Sequence, residues 1–143
     1  MAVDKQDRNL SQAGTPYGSV MTALAAEAPD QVALVCDGPD TSVQVSRSEL
    51  EAWSNRLARA YAERGLSSGD FATIALPNGA EFFAACLAIW KLGAVPNPIS
   101  HRLPYAERAT IVERANPSLV IGVEQGTYTG RCCVPAGFSV AGY

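Results

Sequence analysis

The stretch that decides the fold is FATIALPNGAEFFAACLAIWKLGAVPNPIS, residues 71–100. Its first six residues form a continuous apolar run, which is typical of a strand buried on both faces. After a break at Pro77, the apolar run 82–90 predicts a helix that is apolar on every side and must be covered by other elements. Gly93 ends this helix, and a short extended piece follows over 94–99. Strand, helix and strand in this order indicate a parallel pair joined by a crossover helix.

The same alternation continues towards the C-terminus. Pro104 opens a further helix, which Asn116 and Pro117 end, and LVIGV at 119–123 is predicted to be the last strand. Residues 124–143 have four glycines and no apolar periodicity, so they are predicted to be a loop or tail.

On the N-terminal side, SRSE at 46–49 is a capping box that starts a helix running to about Arg64, with Gly65 as its stop. Two β-rich runs, 32–36 and 41–45, flank an Asp/Gly/Pro turn and predict a hairpin. A helix is expected from Thr15-Pro16 to Pro29, and residues 1–14 are expected to form a flexible arm. The fold class is therefore α/β, with a mostly parallel sheet, flanking helices and a β-hairpin, over residues 15–123.

Composition excludes several classes of protein. The 143 residues are 48% apolar and 17% charged, which supports a packed core and argues against a disordered chain. A net charge of −3 leaves no basic surface for nucleic acid, so no nucleic-acid partner is expected. The longest apolar run ends at Lys91 and is too short for a transmembrane segment. The polar start MAVDKQDRNL does not resemble a secretory signal, so a cytoplasmic location is expected.

The cysteines and the single histidine give no sign of a metal site. Cys36 and Cys86 lie in apolar segments, where a thiol usually behaves as a small apolar group. Cys132 and Cys133 are adjacent, and no pattern of ligands surrounds His101. Cys132 and Cys133 could be redox-active, but inert thiols are the favoured interpretation.

Two positions have both a structural and a functional interpretation. Asn78 at the start of a helix could hold an anion, but with Glu81 three residues later it is better explained as a helix cap. His101 and Arg102 could bind a carboxylate or form an acid–base pair, although a surface loop of this kind is more often simply solvated.

Other candidates are better explained by structure than by chemistry. Asp37 and Asp40 flank a hairpin turn, and the loop Gly126–Gly130 has no lysine or helix after it, unlike a phosphate-binding loop. The aromatic residues at helical spacing are predicted to belong to the core, namely Trp53, Phe82, Phe83 and Trp90. No catalytic, cofactor-binding or metal-binding residue is predicted.

The ordered set of motifs resembles the N-terminal region of the adenylate-forming superfamily over about residues 17–123. The similar segments are APDQVALV at 28–35, the run from SRSEL to PNPIS at 46–100, and RLPYAE at 102–107. SRSEL stands at the family's first core motif, with Val45-Ser46 in place of the usual Thr-Tyr. KLGAVPNPI at 91–99 matches the second core motif.

The resemblance implies ATP, Mg²⁺ and CoA for the full-length enzyme, with none of them bound by this chain. LPN at 76–78 and Glu81-Phe82 are more similar to acyl-CoA synthetases of fatty acid metabolism than to peptide-synthetase adenylation domains. The family's phosphate loop and catalytic lysine lie after this segment, so the chain is expected to be an inactive N-terminal portion, truncated before that loop. Its partner would then be the remainder of the synthetase, or a full-length homologue.

A sheet without its later strands should leave an open edge and an uncovered apolar patch, so an isolated chain is expected to self-associate. The alternative is a non-catalytic binding or interaction module, or a truncated-gene remnant, that retains the fold.

Overall fold

The computed structural model describes residues 16–143. The predicted arm at 1–14 and the helix cap at Thr15 lie outside the described residues. Within 16–143 the elements, in chain order, are α1 (Pro16–Glu27), β1 (Val32–Asp37), β2 (Ser42–Ser46), α2 (Arg47–Glu63), β3 (Phe71–Ile74), α3 (Ala80–Lys91), β4 (Val95–Pro98), α4 (Tyr105–Ala115), β5 (Leu119–Ile121) and β6 (Cys133–Val134).

The main sheet has four parallel strands in the order β4-β3-β5-β6, which confirms the predicted α/β class. In its register Ala72 pairs with both Pro96 and Leu119, so β3 lies between β4 and β5. All three residues of β5 are buried, because strands flank it on both sides and helices cover both faces of the sheet. The predicted hairpin is also present, as the antiparallel pair β1-β2.

The C-terminal part of the sheet differs from the sequence prediction. The strand predicted over 119–123 is not the last one, because Cys133–Val134 within the predicted loop or tail pairs in parallel with β5. A two-residue strand is too short to show a period of two in the sequence, so only its pairing with β5 reveals it. The strand predicted over 71–76 ends at Ile74, and the extended piece predicted over 94–99 contains β4.

The capping box at the start of α2 is confirmed. The Glu49 N–H donates to Ser46 Oγ at 3.2 Å, and the Ser46 N–H donates to Glu49 Oε2 at 2.8 Å. The helix ends at Glu63, and Gly65 beyond it has φ +93°, a conformation that favours glycine.

The larger core lies between the sheet and helices α1, α2 and α3. The fully buried alanines at 84, 85 and 88 place α3 in this core. Leu57 and Tyr61 of α2 are buried in the same core. A smaller cluster on the opposite face of the sheet contains Val112 of α4, Val120 of β5 and Tyr128. No helix within residues 16–143 is long and apolar enough to span a membrane.

One side of α3 is uncovered, so the predicted apolar patch exists. The predicted core position is wrong for Phe83, which is 45% exposed, whereas Trp53, Phe82 and Trp90 are partly buried and pack against the larger core. Trp90 packs against Tyr17 of α1 with ring centroids 5.0 Å apart, which covers only part of its indole. Within residues 16–143, the elements that pack on α3 cover only part of its apolar surface.

Candidate functional site

A cleft of about 640 Å³ opens where β3 and β4 end. Parallel strands bring their carboxyl ends to the same edge of a sheet, and ligands of α/β proteins bind beyond that edge. The residues lining the cleft come from the two segments that leave these strands and from the first turn of α3: Leu76, Pro77, Asn78, Phe82, Pro98, Ile99, Ser100, His101 and Arg102.

Backbone pairing fixes the position of the second segment. The Ile99 N–H donates to the Ile74 carbonyl at 2.9 Å and so continues the pairing of β4 with β3 by one residue. The chain then turns, with the Leu103 N–H donating to the Ser100 carbonyl at 3.2 Å and the Arg102 N–H donating to Ser100 Oγ at 3.3 Å. This turn leaves His101 and Arg102 exposed at the rim of the cleft.

Asn78 also lines the cleft and is not the cap of α3 that the sequence predicts. The N-cap is Gly79, which makes no side-chain capping bond. The carboxylate that was expected to complete the cap, Glu81, instead accepts a hydrogen bond from the Gly137 N–H through Oε1 at 2.7 Å. The capping prediction fails because the partner of Glu81 lies 56 residues away, beyond any local pattern.

The cleft has an apolar floor and a polar rim. Leu76, Phe82 and Ile99 supply apolar surface, whereas His101 and Arg102 supply nitrogen donors, and no lining residue carries a carboxylate. A guanidinium pairs with carboxylates and phosphates in a fixed geometry, so the rim suits an anionic group and the floor suits an apolar one. The sequence analysis treated Asn78 and Arg102 as separate candidates. Their proximity could have been predicted from the fact that each follows one of two strands that pair in parallel, so both lie at the same edge of the sheet.

The Gly126–Gly130 loop does not form a phosphate-binding loop. Thr127 Oγ1 donates to the Glu124 carbonyl at 2.6 Å, and the next element is strand β6 rather than a helix. Tyr128 is buried and stacks on Tyr105 of α4, with ring centroids 5.6 Å apart and planes inclined by 10°. The loop therefore covers one side of α4.

Asp37, one of the two aspartates at the hairpin turn, has a structural partner. Asp37 Oδ1 accepts a hydrogen bond from Ser42 Oγ at 2.5 Å, and the Gly38 N–H donates to the Thr41 carbonyl at 2.7 Å. These bonds close the β1-β2 turn and agree with the structural interpretation of Asp37.

The four cysteines are free thiols. Burial raises the pKa of Cys86 to about 11 and also raises the pKa of Cys133, which makes both poor nucleophiles at neutral pH. Among residues 16–143 no three His, Cys, Asp or Glu side chains lie together as a metal site would require.

A family model described as "AMP-binding enzyme" matches residues 21–136. A dimodular nonribosomal peptide synthase of Bacillus subtilis is 34% identical over 97 residues, which is 68% of this chain and 4% of the synthase. The long-chain-fatty-acid–CoA ligase FadD13 of Mycobacterium tuberculosis is 32% identical over 83 residues, which is 58% of this chain and 16% of the ligase.

Among solved structures, the O-succinylbenzoate coenzyme A synthetase MenE of Bacillus subtilis, in complex with AMP, superposes with a TM-score of 0.70 at 26% identity. That match covers 80% of this chain and 30% of MenE. The chain spans between 2% and 19% of the length of the curated relatives it matches. The extent of the family match over this fold shows that the chain belongs to the AMP-binding family of adenylate-forming enzymes and corresponds to their N-terminal region.

Proposed function

We propose that the chain is the N-terminal portion of an ATP-dependent, AMP-forming acid–CoA ligase. Such an enzyme converts a carboxylic acid, ATP and CoA into acyl-CoA, AMP and pyrophosphate. The observation that carries the proposal is the family match over 21–136, which includes both strands and the helix that form the cleft. The LPN segment at 76–78, which lines this cleft with Asn78, favours the CoA ligases within the family.

The chain's own contribution is a wall of the reactant site. Arg102 at the rim can hold a phosphate group of ATP or CoA, since a guanidinium donates two parallel hydrogen bonds to phosphate oxygens. The apolar floor formed by Leu76, Phe82 and Ile99 excludes water beside that phosphate. Acyl transfer itself also needs groups that stabilise charge at the α-phosphate and at the reacting carbonyl, and these belong to the remainder of the protein.

A second surface of the chain fits contact with that remainder. An apolar groove of about 330 Å³ lies between α1, the hairpin and the uncovered side of α3, and Leu34, Phe83, Leu87 and Trp90 are among its lining residues. In the longer enzyme the remainder packs into this groove. In a chain isolated at 143 residues the same groove is the surface for self-association.

A peptide-synthetase adenylation region is the second candidate, because the dimodular peptide synthase is 34% identical to this chain. Both candidates activate a carboxylate with ATP. They differ in the acid that is activated and in whether the acyl group is transferred to free CoA.

The test is to purify the native product from its source with an antibody against residues 17–134 and to measure its intact mass and activity. The product is offered ATP with a panel of fatty, aryl and amino acids, with and without CoA. A mass several times 15.1 kDa with acid-dependent acyl-CoA formation is the expected result. Pyrophosphate exchange that depends on an amino acid, without a CoA thioester, would favour the peptide synthetase. A stable 15.1 kDa product with neither activity would overturn both enzyme candidates. The remaining interpretations would then be a binding module or a truncated-gene remnant.

A further inference from the structure

Residues 136–143, which we call the C-terminal strap, lie against the larger core although they contain no helix or strand. Val140 is buried, and Phe138 and Tyr143 are partly buried against the same core. Within residues 16–143 the strap has no backbone hydrogen bond to another element, since its own bond joins the Tyr143 N–H to the Val140 carbonyl at 3.1 Å. Side-chain contacts therefore hold the strap in place.

Two charged side chains, one from α3 and one from α2, anchor the strap. Glu81, in the first turn of α3, accepts a hydrogen bond from the Gly137 N–H through Oε1 at 2.7 Å. Arg64, at the C-cap of α2, lies over the Phe138 ring at 4.4 Å from its centroid, and its Nη1 donates to the Tyr143 hydroxyl at 3.2 Å. The strap thus joins the start of α3 to the end of α2.

The first turn of α3 has few other polar restraints. The first N–H groups of a helix have no partner within it, so this end needs restraint from elsewhere. The N-cap residue, Gly79, makes no side-chain capping bond, and the bond from the Phe83 N–H to the Gly79 carbonyl is long, at 3.4 Å. Glu81 is the only polar side chain in the turn 80–83, and its hydrogen bond goes to the strap.

The position of Glu81 in the helix explains why its carboxylate is available to the strap. In a capping box the acidic residue is the third of the helix, as Glu49 is after Ser46. Because α3 begins after Gly79, Glu81 is its second residue, and the cap residue has no side chain with which to form a box. The carboxylate therefore binds a group from outside the helix.

Phe82 connects this turn to the cleft. It lines the cleft floor with Leu76 and Ile99, and it also packs against the larger core, as Phe138 of the strap does. We propose that Glu81 is a positioning residue, whose bond to the strap fixes the first turn of α3 and thereby holds the Phe82 ring in the cleft floor. The use of that floor for a reactant rests on the proposed function.

The first test compares the 143-residue chain with Glu81→Ala by NMR in dilute protein. The Gly137 amide should exchange about tenfold faster in the variant, the change expected from loss of one hydrogen bond. The signals of the Phe82 ring and of the Leu76 and Ile99 methyl groups should shift, because these side chains line one cleft and the ring moves. Unchanged Gly137 exchange would refute the bond, and faster exchange with unshifted cleft signals would refute the positioning role.

Two further variants separate the bond from the charge. Glu107→Ala is the matched control, because Glu107 is an exposed acidic residue in the first turn of α4, and it should leave Gly137 exchange and the cleft signals unchanged. Glu81→Gln removes the charge but keeps an oxygen that can accept from the Gly137 N–H. It should restore the cleft signals of the parent, and cleft signals like those of Glu81→Ala would contradict the proposal.

The strap can also be released from its other anchor, with Glu81 intact. Phe138→Ala removes the ring under Arg64, and Tyr143→Phe removes only the hydrogen bond from Arg64. Both should shift the cleft signals as Glu81→Ala does, with the smaller effect in Tyr143→Phe. Unshifted cleft signals in both would show that the strap does not act on α3. The buried Val120 amide, which donates to the Cys132 carbonyl, should stay protected in every variant and so report an intact sheet.

None of these measurements involves catalysis, so the two proposals fail separately. Absence of acyl-CoA formation by the native product would overturn the ligase proposal and leave the role of Glu81 standing. Unshifted cleft signals in Glu81→Ala would overturn the role of Glu81 and leave the ligase proposal standing.

Discussion

Lys91 Nζ lies 2.6 Å from Glu51 Oε2 and joins the last turn of α3 to the first turns of α2. Lys91 also donates to Asn55 Oδ1 at 2.7 Å, and Thr22 of α1 donates to Glu51 Oε1 at 2.8 Å. One carboxylate therefore connects three helices. The Lys91 ammonium has two side-chain partners in this network, so the lysine of the KLGAV segment holds the scaffold together rather than serving a phosphate.

This network predicts a specific dependence of stability on pH. Burial opposes ionisation of Glu51, but hydrogen bonds from Lys91, Thr22 and Asn55 outweigh it and lower the pKa of Glu51 below its usual 4.5. A carboxyl with a lowered pKa stabilises the fold fully above its unfolded-state pKa, and this contribution is lost as pH falls through the folded-state value. Glu51→Gln should reduce the free energy of unfolding by about 1 kcal/mol at pH 7 and flatten its decline below pH 4.5.

Urea denaturation of parent and variant between about pH 3 and about pH 7, a range that extends from the titration of carboxyl groups to full ionisation, measures this effect. Glu63→Gln, an exposed position on the same helix, is the matched control and should follow the parent curve. If the free energy of unfolding of Glu51→Gln varied with pH in parallel with that of the parent, ionisation of Glu51 would not contribute to the stability of the fold.

Adjacent residues of α3 should differ in the cost of truncation. Ile89 is fully buried, whereas Trp90 is half-buried against Tyr17. Ile89→Ala should therefore cost about 4 kcal/mol, and Trp90→Ala about 2 kcal/mol, below the 3–5 kcal/mol typical of a fully buried aromatic residue. Chemical denaturation of both variants gives the comparison, and a larger loss for Trp90→Ala would place its indole deeper in the core than the structure does.

Two glycines with similar backbone angles should respond differently to alanine. Gly122 has φ +95°, and a Cβ there would lie 2.6 Å from the Ala75 carbonyl oxygen of the chain leaving β3. Gly126 has φ +92°, with no atom within 4 Å of such a Cβ. Gly126→Ala should cost about 1 kcal/mol from backbone strain alone, and Gly122→Ala about 3 kcal/mol or more because backbone must also move. Equal decreases in the thermal midpoint of Gly122→Ala and Gly126→Ala would contradict the close approach of Gly122 to the Ala75 backbone.

The 143-residue chain should not form an acyl-adenylate by itself. Lys91 is engaged by Glu51 and Asn55, and the Gly126–Gly130 loop covers α4 instead of opening a helix. ATP–pyrophosphate exchange in the presence of fatty, aryl or amino acids should therefore remain at background, with a full-length acyl-CoA synthetase as the positive control. Acid-dependent exchange that co-elutes with the purified chain would refute this expectation.

Sequence alone predicted the elements that depend on neighbouring residues. The Ser46–Glu49 box, the stop after α2 and the end of α4 at Asn116, with φ +46°, follow from bonds and angles within a few residues. The apolar runs 71–76 and 119–123 predicted two of the buried strands for the same reason. The ordered sequence motifs identified the correct family.

Only the tertiary structure decided which distant groups meet. Glu81 accepts a hydrogen bond from Gly137 rather than closing a cap with Asn78, and Gln125 accepts one from the Cys133 N–H of a strand that has no sequence signal. The cleft likewise exists because β3 and β4 end together and bring Asn78 and Arg102 to one opening. Local patterns determine an element through bonds to near neighbours. The partner of an exposed amide or carboxylate is instead fixed by packing, which brings together residues that are far apart in the chain.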